Sequence, residues 1–214
     1  VTQPLRYTSS KRAFCLTVVG VDLAGVESRE TGVCILSRGL WVKTEVLYTD
    51  EEIIKRVLNS KPKVAAIDAP LALPKGRETL EERSDIHLRR CDRELLRMGI
   101  KFFPITLGPM RKLTSRGIRL RKALEEQGLE VIETYPGAAQ DLLGLPRKHR
   151  GVEILRRALI DYGCKGDVKK DEISDHELDA IVCALVGKMY VEGHYLAIGD
   201  PSEILMILPR PKMP

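Results

Sequence analysis

A mixed α/β fold, whose strands run antiparallel first and parallel later, is what the order of apolar patterns along this chain predicts. Two observations carry that expectation. Residues 14–25, "FCLTVVGVDLAG", are β-branched and apolar on both alternating faces, the pattern of a central strand buried on both sides. Residues 50–70 then read as a helix followed by a second buried strand, "KVAAIDAP", and a strand–helix–strand unit of that length implies a parallel, right-handed crossover.

The remaining elements follow in order. "TGVCILSRG" (31–39) and "LWVKTEVLYT" (40–49) join around Gly39, and the second alternates polar and apolar, so an antiparallel meander leads out from the first strand. "DEEIIKRVLNSKP" (50–62) opens on an Asp cap, carries Ile53, Ile54, Val57 and Leu58 at helical spacing, and stops at Pro62. Residues 70–128 break the alternation. "PLALPKGRETLEERSD" reads as a polar loop or lid and residues 86–99 as a basic helix closed by Gly99. From Pro109 onward Met110, Leu113, Gly117, Leu120 and Leu124 lie on one helix face. Residues 128–144 return to strand, ending at Glu133, and then to a short helix; residues 151–163 form an amphipathic helix. "SDHELDAIVCALVGKMYVEG" (174–193) opens with a capping box, Ser174 and Glu177, and carries Leu178, Ile181, Val182, Leu185 and Met189 on one face. "YLAIG" and "EILMILP" read as short peripheral strands. The organisation expected is one domain over residues 1–214 with a helical basic insertion at about 70–128.

Composition narrows the function. The chain is 43% hydrophobic and 30% charged, as a globular protein is. No apolar run approaches the roughly 20 residues of a membrane span, and "VTQPLRYTSSKRAF" lacks the apolar block of a secretion signal, so a cytoplasmic protein without membrane contact is expected. None of the five cysteines pairs in a C-x-x-C spacing, which gives zinc or thiol redox chemistry no support; a single bridge between Cys15 and Cys34 stays open. Residues 75–122 hold 14 Lys/Arg against 6 Asp/Glu, net +8, within a chain of net charge +5. That concentration suits either a phosphate-rich partner or a solvated helical surface. No phosphate-loop motif and no hydrolase nucleophile motif occurs.

Three strand-like segments end on a carboxylate: Asp22, Asp68 and Glu133. Parallel strands would deliver all three to one sheet edge, the carboxyl edge where open α/β sheets bind ligands. The late helix adds Asp179, with Asp175 and His176 one turn earlier on the same side. Taken singly, each acid suits a turn cap or a helix start. Crowded together they would repel, and Mg²⁺ or Mn²⁺, which prefer oxygen ligands, would remove the conflict.

"VVGVDLAG", "AIDAPLALP", "RRCDRELLRMGI", "VIETYPGA" and "HELDAIVCAL", in that order from about residue 16 to 200, resemble the family called domain of unknown function 429. Its members are regarded as predicted nucleases with a ribonuclease-H-like fold. The resemblance implies a mixed five-stranded sheet, three strands antiparallel and then parallel, flanked by helices. It implies metal-dependent phosphodiester hydrolysis on nucleic acid, DNA or RNA, with two Mg²⁺ or Mn²⁺ ions. Asp22 corresponds to the metal-binding Asp of the first strand, Asp68 to the acid of the fourth, and Asp179 to that of the late helix. His176 takes the position of an acid or histidine in related resolvases; Glu133 and Asp175 would be additional ligands. The segment "R-x-C-D" is similar to the family's own, which implies substrate contact by Arg89, Arg90 and Asp92, though Arg89 and Arg90 also suit helix-surface charges. The match is incomplete in one respect: ribonuclease H places a Glu on its first helix, and here Glu51 and Glu52 lie at the start of the corresponding helix without a facing fixed by the sequence. A homodimer is left open. The rival readings are a nucleic-acid-binding module without catalysis and a phosphohydrolase or phosphotransferase acting on a small phosphorylated metabolite.

Overall fold

A computed structural model describes residues 16–210. Its sheet has eight strands: β1 (Val18–Asp22), β2 (Thr31–Ser37), β3 (Trp41–Leu47), β4 (Val64–Asp68), β5 (Glu130–Thr134), β6 (Lys165–Gly166), β7 (Tyr195–Ile198) and β8 (Met206–Pro209). They lie in the order β6-β3-β2-β1-β4-β5-β8-β7. β1, β2 and β3 form the antiparallel meander, and β4 and β5 add to β1 in parallel. Those five strands have the arrangement implied by the resemblance. The expected count of five is corrected to eight. β8 adds parallel to β5 and β7 antiparallel to β8, while two-residue β6 joins the far edge beside β3. Strands of two to four residues are too short to show an alternation, and their partners lie far away in sequence, so their membership is decided by tertiary pairing.

Among the described residues six α-helices flank the sheet: α1 (Asp50–Asn59), α2 (Arg90–Arg97), α3 (Gly108–Glu125), α4 (Pro136–Leu143), α5 (Val152–Asp161) and α6 (Asp175–Val191). α1 is capped by Thr49 rather than Asp50, with Glu52 returning to the Thr49 and Tyr48 amides in a capping box. α6 has the expected box: the Glu177 amide donates to Ser174 Oγ at 3.2 Å and the Ser174 amide to the Glu177 carboxylate at 3.0 Å.

The period-2 alternation of the strands sorts the core into two layers. Val18, Val64 and Ala66 face α6, and Val19, Val21, Ala65 and Ile67 face α1 and α3. α6 is not one-sided as its pattern suggested, since every residue from Glu177 to Gly187 is buried. It runs through the middle of the molecule, where an all-round apolar helix belongs. On the other face Leu120 and Leu124 place α3 against the sheet, so α3 is the crossover helix between β4 and β5. Before it, residues 69–89 wander without regular structure. Arg77, buried, organises that excursion by donating to the carbonyls of Thr79, Leu80, Glu82 and Ile86. The carboxylate of Glu203 ties the excursion to the C-terminal strands, accepting from the amides of Lys75 and Arg90 at 2.7 Å each.

Cys34, Cys91, Cys164 and Cys183 are buried free thiols; Cys15, and with it the pairing considered above, lies outside the described residues. Among the described residues no helix is long and apolar enough to cross a membrane.

Candidate active site

Asp22 closes β1 and Asp68 closes β4, and the parallel register sets the two opposite one another. Thr134, closing β5, is in turn opposite Asp68. Alternation puts all three side chains on the face that α6 covers. α6 can reach that face because two strand positions lack a Cβ. A Cβ on Gly20 would overlap the backbone of Ala180 and Ala184, and one on Gly32 would overlap the carbonyl of His176. With no side chain beneath it, the N-terminal half of α6 lies directly on β1 and β2 and presents His176 and Asp179 to the strand ends.

His176 Nδ1 and Asp22 Oδ2 are 2.7 Å apart. An ionised carboxylate only accepts, so facing one Nδ1 carries the proton. Asp22 is buried and His176 half-buried. Asp179, also buried, accepts from Gln140 Nε2 of α4 at 2.7 Å. The convergence of the acids is felt by Cys183, one turn after Asp179. Burial pushes its thiol well up, and the charges of Asp68, Asp22 and Asp179 push it further. Asp175, the first residue of α6, is half-buried.

Glu133 is placed differently. It pairs with Ile67, one position before the strand end, and so points to the opposite face from Asp68. Both its oxygens are engaged: Arg89 donates to each at 2.6 Å, and the Leu71 amide donates to Oε2 at 2.7 Å. Arg89 also binds Asp92, and all three groups are almost wholly buried. Of the segment "RRCD", only Arg90 is exposed. Glu52 is occupied by its capping box and Glu51 is solvent-exposed, so neither joins the acids. Sequence reasoning missed Gly20, Gly32 and Gln140. A glycine inside a buried strand was a usable signal for close backbone approach; nothing in the sequence marked Gln140.

The basic segment separates in the same way. Arg77, Arg89 and Arg116 are buried; Arg116 donates to Asp50 and to the carbonyls of Ala24 and Tyr48, fastening α3 to the loop after Asp22. Arg90, Arg93, Arg97, Arg111, Lys112, Arg119 and Lys122 remain exposed on α2 and α3.

Among the described residues no group of three or more His, Cys, Asp or Glu side chains is placed to hold a metal ion by itself. The donor chemistry nevertheless fits a hard divalent cation. Mg²⁺ is commonly bound through one or two carboxylates and completed by substrate phosphate and water. Asp22 and Asp68 form such a pair across adjacent strands, and Asp179 shares with them the surroundings of Cys183.

Fold and site together define a mixed α/β protein with acids and an imidazole at the carboxyl edge of its parallel strands. The chain belongs to the family described as "Protein of unknown function (DUF429)", whose model matches residues 20–204. Among solved structures it is similar to that of RuvC from Thermus thermophilus, at 13% identity and a TM-score of 0.45, over 83% of this chain and 97% of that one. No curated protein matches it.

Proposed function

We propose that this protein is a divalent-metal-dependent nuclease with a ribonuclease-H-like core, hydrolysing phosphodiester bonds in nucleic acid. The observation that carries the reading is the register pairing of Asp22 with Asp68 at the carboxyl ends of adjacent parallel strands, with Asp179 of α6 packed against the same edge. Family membership supports it, as do the exposed cations of α2 and α3. Asp22 and Asp68 would hold Mg²⁺ or Mn²⁺ with substrate phosphate and water completing the shell, and Asp179 would support them from behind; the ion would supply charge neutralisation at phosphate and a more acidic bound water. Asp22 orients the His176 ring, which suits the imidazole to carry a proton at this edge. Gln140 fixes the Asp179 carboxylate. Arg90, Arg93, Arg111, Lys112 and Arg119 would contact the phosphate backbone, giving binding that is mostly independent of sequence. Arg89, Asp92 and Glu133 would serve by position, locking the start of α2 and the residues after Asp68 to β5.

The test is Mn²⁺-dependent cleavage of duplex, hybrid and branched substrates by wild type, Asp22→Asn and Asp68→Asn, with Mn²⁺ binding followed by calorimetry. Both substitutions should abolish cleavage and weaken Mn²⁺ binding. Cleavage indifferent to both would overturn the site; nucleic-acid binding without any cleavage would leave the non-catalytic module instead.

A further inference from the structure

Beside the acids lies a cavity of about 160 Å³ that Asp68 helps to line, and Tyr135 forms part of its mostly apolar wall. On the hydroxyl side of Tyr135 opens a wider cleft of about 750 Å³, where the turn after α2 meets the loop between α4 and α5. Lys101, Asp141, Arg147, His149 and Arg150 are among its walls. We infer that this basic cleft binds phosphates of the nucleic-acid backbone that flank the bond presented to Asp22 and Asp68. The inference rests on the nuclease reading and adds to it a contact separate from the cations of α2 and α3.

Charge, rigidity and position each point to that ligand. Lys101 and Arg150 are exposed, and neither has an ion pair among the described residues. Asp141 is the one carboxylate lining the cleft, and both its oxygens are engaged: Arg147 Nε donates to Oδ1 at 2.8 Å and Nη2 to Oδ2 at 2.5 Å. α2 and α4 both end here, and a bare helix C-terminus disfavours an anion. Their last carbonyls are satisfied instead, those of Leu95 and Leu96 by the Ile100 and Gly99 amides, and those of Gln140 and Asp141 by the Leu145 and Gly144 amides. The side-chain cations therefore set the sign of the cleft. Arg147 is held in place as well as charged. Its guanidinium lies 5.8 Å from the centre of the Tyr135 ring and fills space that a Cβ on Gly137 would take. Of the five N–H donors of a guanidinium, two go to Asp141 and one points at the Tyr135 hydroxyl, which leaves two for a ligand. A planar fork fixed in this way matches phosphate oxygens. The Tyr135 hydroxyl in turn donates to the Lys101 carbonyl at 3.0 Å, so one side chain separates the cleft from the cavity beside Asp68. A backbone lying across the acids reaches these cations by passing Tyr135, which favours a polynucleotide over a free phosphate.

The test measures Kd against salt concentration, by fluorescence anisotropy and without added metal, for a labelled DNA duplex and an RNA–DNA hybrid. Lys101→Gln combined with Arg150→Gln removes two exposed cations from the cleft, and circular dichroism checks the fold. The slope of log Kd on log salt should fall by up to about 1.8, at about 0.9 for each duplex phosphate no longer neutralised. Lys43→Gln combined with Lys55→Gln makes the same change of charge at exposed positions on β3 and α1 and should leave the slope as in wild type. An unchanged slope in the cleft variant, or no binding to either nucleic acid by wild type, overturns the inference. An equal fall in both double variants overturns it too, because net charge alone would then account for the effect. Displacement of the duplex by inorganic phosphate at micromolar concentration, lost in the cleft variant, would assign the cleft to a free anion and overturn the polynucleotide source. A slope flattened only in the cleft variant, with no cleavage by wild type in Mn²⁺, would sink the nuclease reading while the cleft assignment stands; cleavage with an unchanged slope does the reverse.

Discussion

His176 and Glu133 are both polar groups at the sheet edge, and their surroundings give them opposite work. His176 is half-exposed and held by one short hydrogen bond to Asp22. Replacement by Gln keeps a polar side chain but cannot carry a proton at neutral pH. Cleavage by His176→Gln should fall by about 10²–10⁴-fold with little change in KM, the range for loss of a positioned acid–base group. Steady-state kinetics on wild type and variant check this. Glu133 is sealed against Arg89, and removing one partner of a buried pair strands the other charge. Glu133→Ala should therefore cost about 3–5 kcal/mol, read from urea unfolding. The difference was not legible, because the strand was expected to end at Glu133: β5 runs on to Thr134, so Glu133 sits one before its end, whereas Asp68 is the last residue of β4. Period-2 alternation then sends the two to opposite faces. Arg89, 44 residues earlier, could not be read as the partner, because nothing local links them.

At the scale of elements, α6 decides where the site lies. Gly20→Val would push a branched side chain into the backbone of Ala180 and Ala184. The variant should lose near-ultraviolet dichroism and Mn²⁺ binding together, because the helix cannot dock without carrying Asp179 and His176 away. The start of α6 also responds to acid. Burial alone would raise the Glu177 carboxyl, but its hydrogen bonds from Lys170 and the Ser174 amide outweigh that and hold it below the ordinary value of 4.5. A carboxyl depressed in the folded state stabilises fully above its unfolded value and loses that contribution as pH falls through the lower folded one. Wild type should thus lose stability between about pH 5 and pH 3 more steeply than Glu177→Gln, measured as urea midpoints across that range. The capping box was readable from Ser174 and Glu177 because its signal is local. The burial of α6 on all sides was not, because it depends on how many elements surround the helix.

For the whole molecule, the sign and placement of charge matter more than the total. Of the cations between residues 75 and 122, the buried three hold the excursion and α3 in place, and the exposed ones on α2 and α3 are left for a polyanion. Changing Arg111, Lys112 and Arg119 together to Gln should leave the fold intact and flatten the dependence of log Kd on log salt, by up to about 0.9 for each duplex phosphate that is no longer neutralised. Titrations at several salt concentrations check it. An unchanged slope would place the polyanion elsewhere on the surface. Sequence reading overstated this region because a count of Lys and Arg cannot separate a solvated guanidinium from one enclosed by carbonyls, as Arg77 is.

The sequence by itself determined the order of strands and helices, the meander followed by parallel strands, and the delivery of Asp22 and Asp68 to one edge. Each of these follows from patterns within a few residues, where backbone periodicity and caps act. Only the tertiary structure decided the two-residue β6, the pairing that brings the expected short strands β7 and β8 into the same sheet, the close seat of α6 over Gly20 and Gly32, the diversion of Glu133 to Arg89, and the cavity beside Asp68. Those depend on which distant segments pack together, and packing is settled by the fit of whole surfaces rather than by any local run of residues.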